Sequence, residues 1–205
     1  YNINSNTLKK IRFWFAASTH EDEEILCLKT HKIIKKKYAD LITIIAPRHI
    51  DRTKVIKSYC DNLNLKSQVI DKKEKIKNNK EILIINSYGV LKSYFKYAKS
   101  VFIGKSTIFK LKNDSGQNPL DAAKFKCKIY HGPYVSNFED IYEILKKQGV
   151  SKKINSHKDL GNYLIKDLKN PHKKDEKIDS VFIENVCKKT IVNTMRSIYK
   201  FIQWI

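Results

Sequence analysis

No apolar run in this sequence approaches the length of about 18 residues that a membrane-spanning helix needs, and no signal-peptide pattern opens it. The chain is therefore expected to be soluble as it stands. Cysteine is scarce as well: Cys27, Cys60, Cys127 and Cys187 lie far apart, with no CxxC pair and no histidine at ligand spacing. That pattern suggests neither a zinc site nor a disulfide framework, and it fits reduced, buried thiols in a cytoplasmic protein. Arginine is the third shortage. Only Arg12, Arg48, Arg52 and Arg196 are present, whereas recognition of bases and phosphates favours the bidentate guanidinium fork. No internal repeat is visible.

What the chain has in quantity is lysine. Lysine and arginine together number 41 against 21 acidic residues, a formal net charge of +20. Such a field attracts phosphates and invites a nucleic-acid or anionic-membrane partner. Lysines keep company with abundant Ile and Asn, as in Lys77-Asn78-Asn79-Lys80, the residues a coding sequence drifting toward A and T places on tolerant surfaces. A basic face near anionic lipid still gains on the order of 1 kcal/mol per nearby lysine. With 205 residues, 41% of them hydrophobic, and eleven Tyr and nine Phe to fill an interior, the chain has the size of one ordinary domain. It can bury roughly 70% of the surface of its unfolded form. It opens on Tyr1 rather than Met and its apolar pattern starts almost at once, which reads as a segment of a longer protein.

Apolar β-prone runs at Phe13 to Ala17, Leu41 to Ala46, Ile82 to Ile85, Val101 to Ile103 and Ile129 to Tyr130 predict buried parallel strands. Helical patterns separate them: Glu23 to Lys37, Asp51 to Asn62, Val90 to Tyr97, Pro119 to Lys124 and Phe138 to Lys147. A short helix near Asp159 to Leu168 follows. From Ser180 onward Phe182, Val186, Ile191, Met195, Ile198 and Ile202 predict a long amphipathic helix that ends in Phe201-Ile202-Gln203-Trp204-Ile205. The alternation implies an α/β fold with a doubly wound parallel sheet, in which ligands sit beyond the carboxyl ends of the strands.

Five segments occupy such strand ends. In Ala16-Ala17-Ser18-Thr19-His20-Glu21-Asp22-Glu23-Glu24, Ser18 or Thr19 is placed to cap the first helix, with acidic residues in its first turn. The same small residues also suit a phosphate. Ala46-Pro47-Arg48-His49 puts a guanidinium over the crevice, suited to phosphate or to an ion pair with Asp51. In Asn86-Ser87-Tyr88-Gly89 the glycine allows close backbone approach and Tyr88 offers a ring to a base. Gly104-Lys105-Ser106 leads to Gly116-Gln117-Asn118-Pro119-Leu120-Asp121, where Asn118 suits a cap and Asp121 either a ribose hydroxyl or the helix dipole. For His131-Gly132-Pro133-Tyr134 with Asn137-Phe138-Glu139, a turn and an N-cap suffice.

In this order and spacing, the blocks Ala-Ala-Ser-Thr-His-Glu, Ala-Pro-Arg-His, Ser-Tyr-Gly, Gly-Gln-Asn-Pro-Leu-Asp and Gly-Pro-Tyr with Asn-Phe resemble the Kdo (3-deoxy-D-manno-octulosonic acid) transferases of lipopolysaccharide assembly. The resemblance covers roughly residues 11 to 170. It implies the Rossmann-like C-terminal domain of a B-type glycosyltransferase fold: residues 1–178 as the CMP-Kdo-binding domain, and residues 179–205 as a helix packing on it or on a missing N-terminal domain. By that resemblance Ser18, Thr19, Pro47, Arg48, Tyr88, Gly89, Lys105, Asn118 and Asp121 line the nucleotide site, with no metal and no further cofactor. The family's general base belongs to the N-terminal domain, so no catalytic residue is expected here. Implied partners are CMP-Kdo, a lipid A precursor held by the other domain, and the anionic cytoplasmic face of the bacterial inner membrane. Departures from the pattern are Lys105 for Gly, Ser115 and Gln117 for Gly and His, Asp121-Ala122 for Glu-Pro, and Tyr88 for Met. The competing readings are a basic nucleic-acid-binding module without enzymatic activity, or a transferase using another nucleotide sugar.

Overall fold

The computed structural model describes residues 3–174 and 179–202. After a short helix α1 (Ser5–Leu8), the chain alternates β1 (Phe13–Thr19), α2 (Glu23–Lys35), β2 (Ile42–Pro47), α3 (Thr53–Asn62), β3 (Ser67–Ile70), β4 (Ile82–Ile85), α4 (Leu91–Phe95), β5 (Ser100–Ile103), α5 (Leu120–Lys124), β6 (Lys128–His131), α6 (Glu139–Lys147), β7 (Ser151–Lys153), α7 (His157–Asp167) and α8 (Ser180–Ile202). The seven strands form one sheet in the order β3-β4-β2-β1-β5-β6-β7, and every pairing is parallel. The expected Rossmann-like, doubly wound α/β architecture is the one found.

Period-two alternation explains the two layers of core. Phe13, Phe15 and Ala17 of β1 join Leu83, Ile85, Val101, Ile103 and Ile129 on one face, under Tyr94, Phe95, Ala122, Ala123, Tyr142 and Leu145 of α4, α5 and α6. Trp14 and Ala16 join Ile45, Ile82, Ile84 and Phe102 on the other, under Leu28, Ile34, Ile56, Leu160 and Leu164 of α2, α3 and α7. Strands covered on both sides must be apolar throughout, which is why their sequence runs lack polar alternation. All four cysteines are free and buried.

Helix α8 lies against α5, burying Ile183, Val186 and Cys187, while Met195 is exposed. The side chains of Ile191, Ile198 and Ile202, the segment 203–205 and the boundary expected at 178 lie outside the described residues. Two strands escaped the sequence reading, β3 and β7, and both are edge strands.

Candidate functional site

Sequence order reverses around β1. The chain moves from β1 to β2 on one side and returns through β5 on the other, so the crevice beyond β1 and β5 is the topological switch point, where doubly wound sheets receive ligands. Its walls are the turns after β1, β2, β4 and β5.

At the end of β1 the register with β2 slips between Ala17 and Thr19, and Ser18 takes φ +56°. This bulge re-aims the chain, and Thr19 then sits opposite Pro47. Helix α2 does not use Ser18 or Thr19 as its cap, contrary to expectation. It starts only at Glu23, after Asp22 in the left-handed region at φ 69°, and Glu23 reaches back to accept from the His20 amide at 3.0 Å.

The Glu23 carboxylate, fully buried, is the centre of the switch point. Besides His20, its Oε2 accepts from the Lys105 amide at 2.7 Å, and its Oε1 from the amides of Ser106 at 2.9 Å and Thr107 at 3.1 Å and from Thr107 Oγ1 at 3.1 Å. Burial pushes its carboxyl up, and the amides of Ser106, Lys105, His20 and Thr107 oppose that shift. The five donors aimed at it favour the ionised, acceptor-only form against that shift. Gly104 is obligatory here: a Cβ would lie 2.3 Å from Ser18 O and 2.8 Å from Glu23 Oε2. Gly132, read as an ordinary turn residue, proves equally constrained, its Cβ position being 2.1 Å from Ser106 O. The Gly132 amide donates to Ser106 Oγ at 2.9 Å. Turns after β1, β5 and β6 are thereby interlocked.

Glu24, also fully buried, takes a bidentate pair from Arg52 at 2.9 and 3.1 Å. Both acidic side chains are thus turned inward, Glu23 onto backbone amides at the switch point and Glu24 onto Arg52. The sequence reading missed these roles, because acidic residues in a helix's first turn look like ordinary dipole complements.

Arg48 contrasts with Arg52. It is exposed, and it has no ion pair or side-chain hydrogen bond among the described residues, so the pair with Asp51 does not form. Its amide donates to Thr19 O at 2.9 Å. The neighbouring His20 ring meets His49 edge-on at 5.7 Å. Burial first, then the positive charges of His49, Lys105, Arg48 and Arg52, push His20 down to about 4, so it is neutral at pH 7. Four cationic or ring groups therefore converge on the end of β1. Thr19 Oγ1 and His20 Nε2 are buried there with no hydrogen-bond partner among the described residues.

Tyr88 is 61% exposed and its hydroxyl accepts from the Ile50 amide at 3.4 Å, which brings it beside the Arg48 turn. Gly89 is needed for φ +72° and not for close approach, since nothing lies within 4 Å of its Cβ position. Ser87 and Gly89 line a cavity of about 110 Å³ with Asp71, Lys72, Ser93 and Tyr94. Lys105, φ +57°, spends its ammonium on Asp114 at 2.8 Å, and Asn137 Nδ2 donates to the same carboxylate at 2.7 Å instead of capping α6. Asn118 Oδ1 accepts from the Leu120 amide at 2.9 Å, the capping role expected of it. Asp121 pairs with Lys92 of α4 at 3.4 Å. Ser18, Thr19, Pro47, Arg48, Tyr88 and Lys105 thus border the turns around β1, whereas Asn118 and Asp121 lie on α5 and its approach, against α4. Among the described residues no group of His, Cys, Asp and Glu is placed to hold a metal ion, and no helix is long and apolar enough to cross a membrane.

No family model matches the chain. Individual proteins do. The 3-deoxy-D-manno-octulosonic acid transferase of Haemophilus influenzae is 27% identical over 195 residues, 89% of this chain and 44% of that protein. That of Rickettsia prowazekii is 31% identical over 148 residues, 72% of this chain and 31% of that protein. The chain is a relative of the Kdo transferases. It spans less than half the length of these Kdo transferases. Among solved structures, the C-terminal CMP-Kdo binding domain of WaaA from Acinetobacter baumannii shares the fold at TM-score 0.70 and 22% identity, covering 80% of this chain and 83% of that one. A putative UDP-N-acetylglucosamine 2-epimerase from Listeria monocytogenes superposes less well, at TM-score 0.54 and 12% identity over 90% of this chain and 45% of that one. The Kdo transferase resemblance read from the five strand-end blocks agrees with these relatives, and the C-terminal-domain fold it implied is the fold observed.

Proposed function

We propose that this chain is the donor-binding domain of an enzyme that moves Kdo from CMP-Kdo to a lipid A precursor in lipopolysaccharide core biosynthesis. The observation that carries the reading is Arg48, an exposed guanidinium at the switch point that is unpaired among the described residues, beside Thr19 and His20 groups that lack partners there too. The Kdo transferase relatives support this reading.

In the transfer, an acceptor hydroxyl attacks the anomeric carbon of Kdo, the bond from that carbon to the phosphate oxygen breaks, and CMP leaves with the bonding electrons. Arg48 supplies a bidentate fork to the phosphate and stabilises the charge as it develops. Tyr88 stands at the nucleoside side of the crevice. Ser18, Pro47, Gly89 and Asn118 shape its turns, and Asp121 faces the ribose once Lys92 yields. The hydroxyl proton goes to a base outside this chain, so the chain alone transfers no sugar. No metal enters the scheme. The lipid acceptor is held by the rest of the enzyme at the cytoplasmic face of the inner membrane, where the lysine-rich exterior meets anionic headgroups.

Isothermal titration tests the reading. CMP binds the folded protein, and Arg48→Ala weakens it by about 10- to 100-fold, the worth of a charge-assisted hydrogen bond. If neither CMP nor CMP-Kdo binds a folded full-length enzyme, the proposal is lost. Steeply salt-dependent RNA binding, indifferent to CMP and to Arg48→Ala, would establish the nucleic-acid alternative instead.

A further inference from the structure

Three successive amides, those of Lys105, Ser106 and Thr107, and a fourth from His20 converge on one point at the switch point. Consecutive N–H groups turned to one side form the concave nest that binds phosphate in many folds, and here it adjoins the N-terminus of the thirteen-residue helix α2. The nest is occupied by the protein itself. Glu23 fills it with a fully buried carboxylate that accepts from all four amides and from Thr107 Oγ1. Every donor that could greet an incoming phosphate there is already engaged. A phosphate arriving at the same point would face a fixed negative charge at a site where water does not screen it.

We infer that Glu23 is a specificity-determining residue: its carboxylate stands in for one phosphate, so the crevice accepts sugar donors linked through a nucleoside monophosphate and rejects those linked through a diphosphate. This deepens the donor-binding reading and rests on it. Arg48, with no competing carboxylate, is left as the cation for a single phosphate group. Glu24 cannot substitute for Glu23, because both its oxygens are held by Arg52. Nor does Lys105 offer a second anchor, since Asp114 holds its ammonium. The discrimination combines an attractive site for one phosphate with a built-in repulsive element against a second.

The test compares CMP, CDP and inorganic pyrophosphate on the same protein sample by titration calorimetry. Wild-type protein binds CDP no more tightly than CMP, and pyrophosphate does not displace CMP. Glu23→Ala, which vacates the nest, raises the affinity ratio of CDP over CMP by about tenfold or more and lets pyrophosphate compete. Glu23→Gln, which removes the charge but fills the space, gives a smaller rise. Because the readout is a ratio within one sample, loss of folded protein cancels, and a merely structural role for Glu23 lowers both affinities together. An unchanged ratio in a folded Glu23→Ala protein overturns the inference. So does a wild-type protein that binds CDP tenfold more tightly than CMP, a result that needs no variant to fold. Failure of wild-type protein to bind CMP or CMP-Kdo at all overturns the donor-binding reading itself.

Discussion

Replacing Arg52 by alanine leaves the Glu24 carboxylate, with none of its surface exposed, stripped of the two guanidinium bonds at 2.9 and 3.1 Å. Removing one partner of a buried ion pair costs about 3–5 kcal/mol, because the remaining charge stays desolvated. Arg52 is itself 18% exposed, so water reaches the vacated position and the lower figure of about 3 kcal/mol is expected. For a chain of this size that corresponds to a fall in Tm of about 6–12 °C. Burial already raises the Glu24 carboxyl, with Arg52 opposing, and loss of Arg52 raises it further. A carboxyl raised in the folded state holds a proton that the unfolded chain releases. Stability of the variant therefore falls as pH climbs from the unfolded value through the folded one, and the penalty fades below about 4.5. Urea denaturation of variant and wild type at pH 8 and pH 5 measures the difference with other titrations cancelled. A loss under about 1 kcal/mol at pH 8, or a larger loss at pH 5 than at pH 8, refutes the reasoning. Arg48→Ala, whose guanidinium touches no partner, changes stability by less than about 0.5 kcal/mol in the same assay.

Gly104→Ala places a methyl 2.3 Å from Ser18 O and 2.7 Å from Thr19 Cα, backbone that cannot yield, and costs about 3 kcal/mol or more together with CMP binding. Gly89→Ala meets nothing within 4 Å at φ +72° and costs only about 1–2 kcal/mol by denaturation. Asp167 accepts from Ser100 Oγ at 2.7 Å, Tyr130 Oη at 2.6 Å and Lys128 Nζ at 3.0 Å. Ser100 and Lys128 begin their strands, at the opposite end of the sheet from the crevice. Asp167→Asn accordingly lowers stability by about 2 kcal/mol and leaves the CMP dissociation constant unchanged in calorimetry.

The strands that could be read from the sequence are those whose both faces are buried. Ile82–Ile85 was bounded to the residue, and β1 and β2 within two, because each is an apolar run closed by a polar turn. Ser67-Gln68-Val69-Ile70 and Ser151-Lys152-Lys153 escaped because an edge strand needs fewer apolar residues, and both are short and half or more polar. At the site, the turns and the free Arg48 were legible as strand ends. What sequence could not convey is direction. Glu23 and Glu24 read as surface carboxylates of a first turn, yet both point inward, for reasons that lie at Arg52 and at residues 105–107. Gly132 likewise looks like any turn glycine until Ser106 O is seen beside it.

The Glu23 clasp also bears on the order in which the chain acquires its shape. Three of its four amide partners lie 82 to 84 residues downstream, so a nascent chain synthesised only through β4 holds β1, β2 and α2 with that carboxylate lacking most of its donors. Closing a loop of that length is slow compared with local helix formation. The crevice therefore belongs to the last native contacts rather than the first, and a ribosome-bound intermediate truncated before residue 107 has the strands that will form its walls but no binding site.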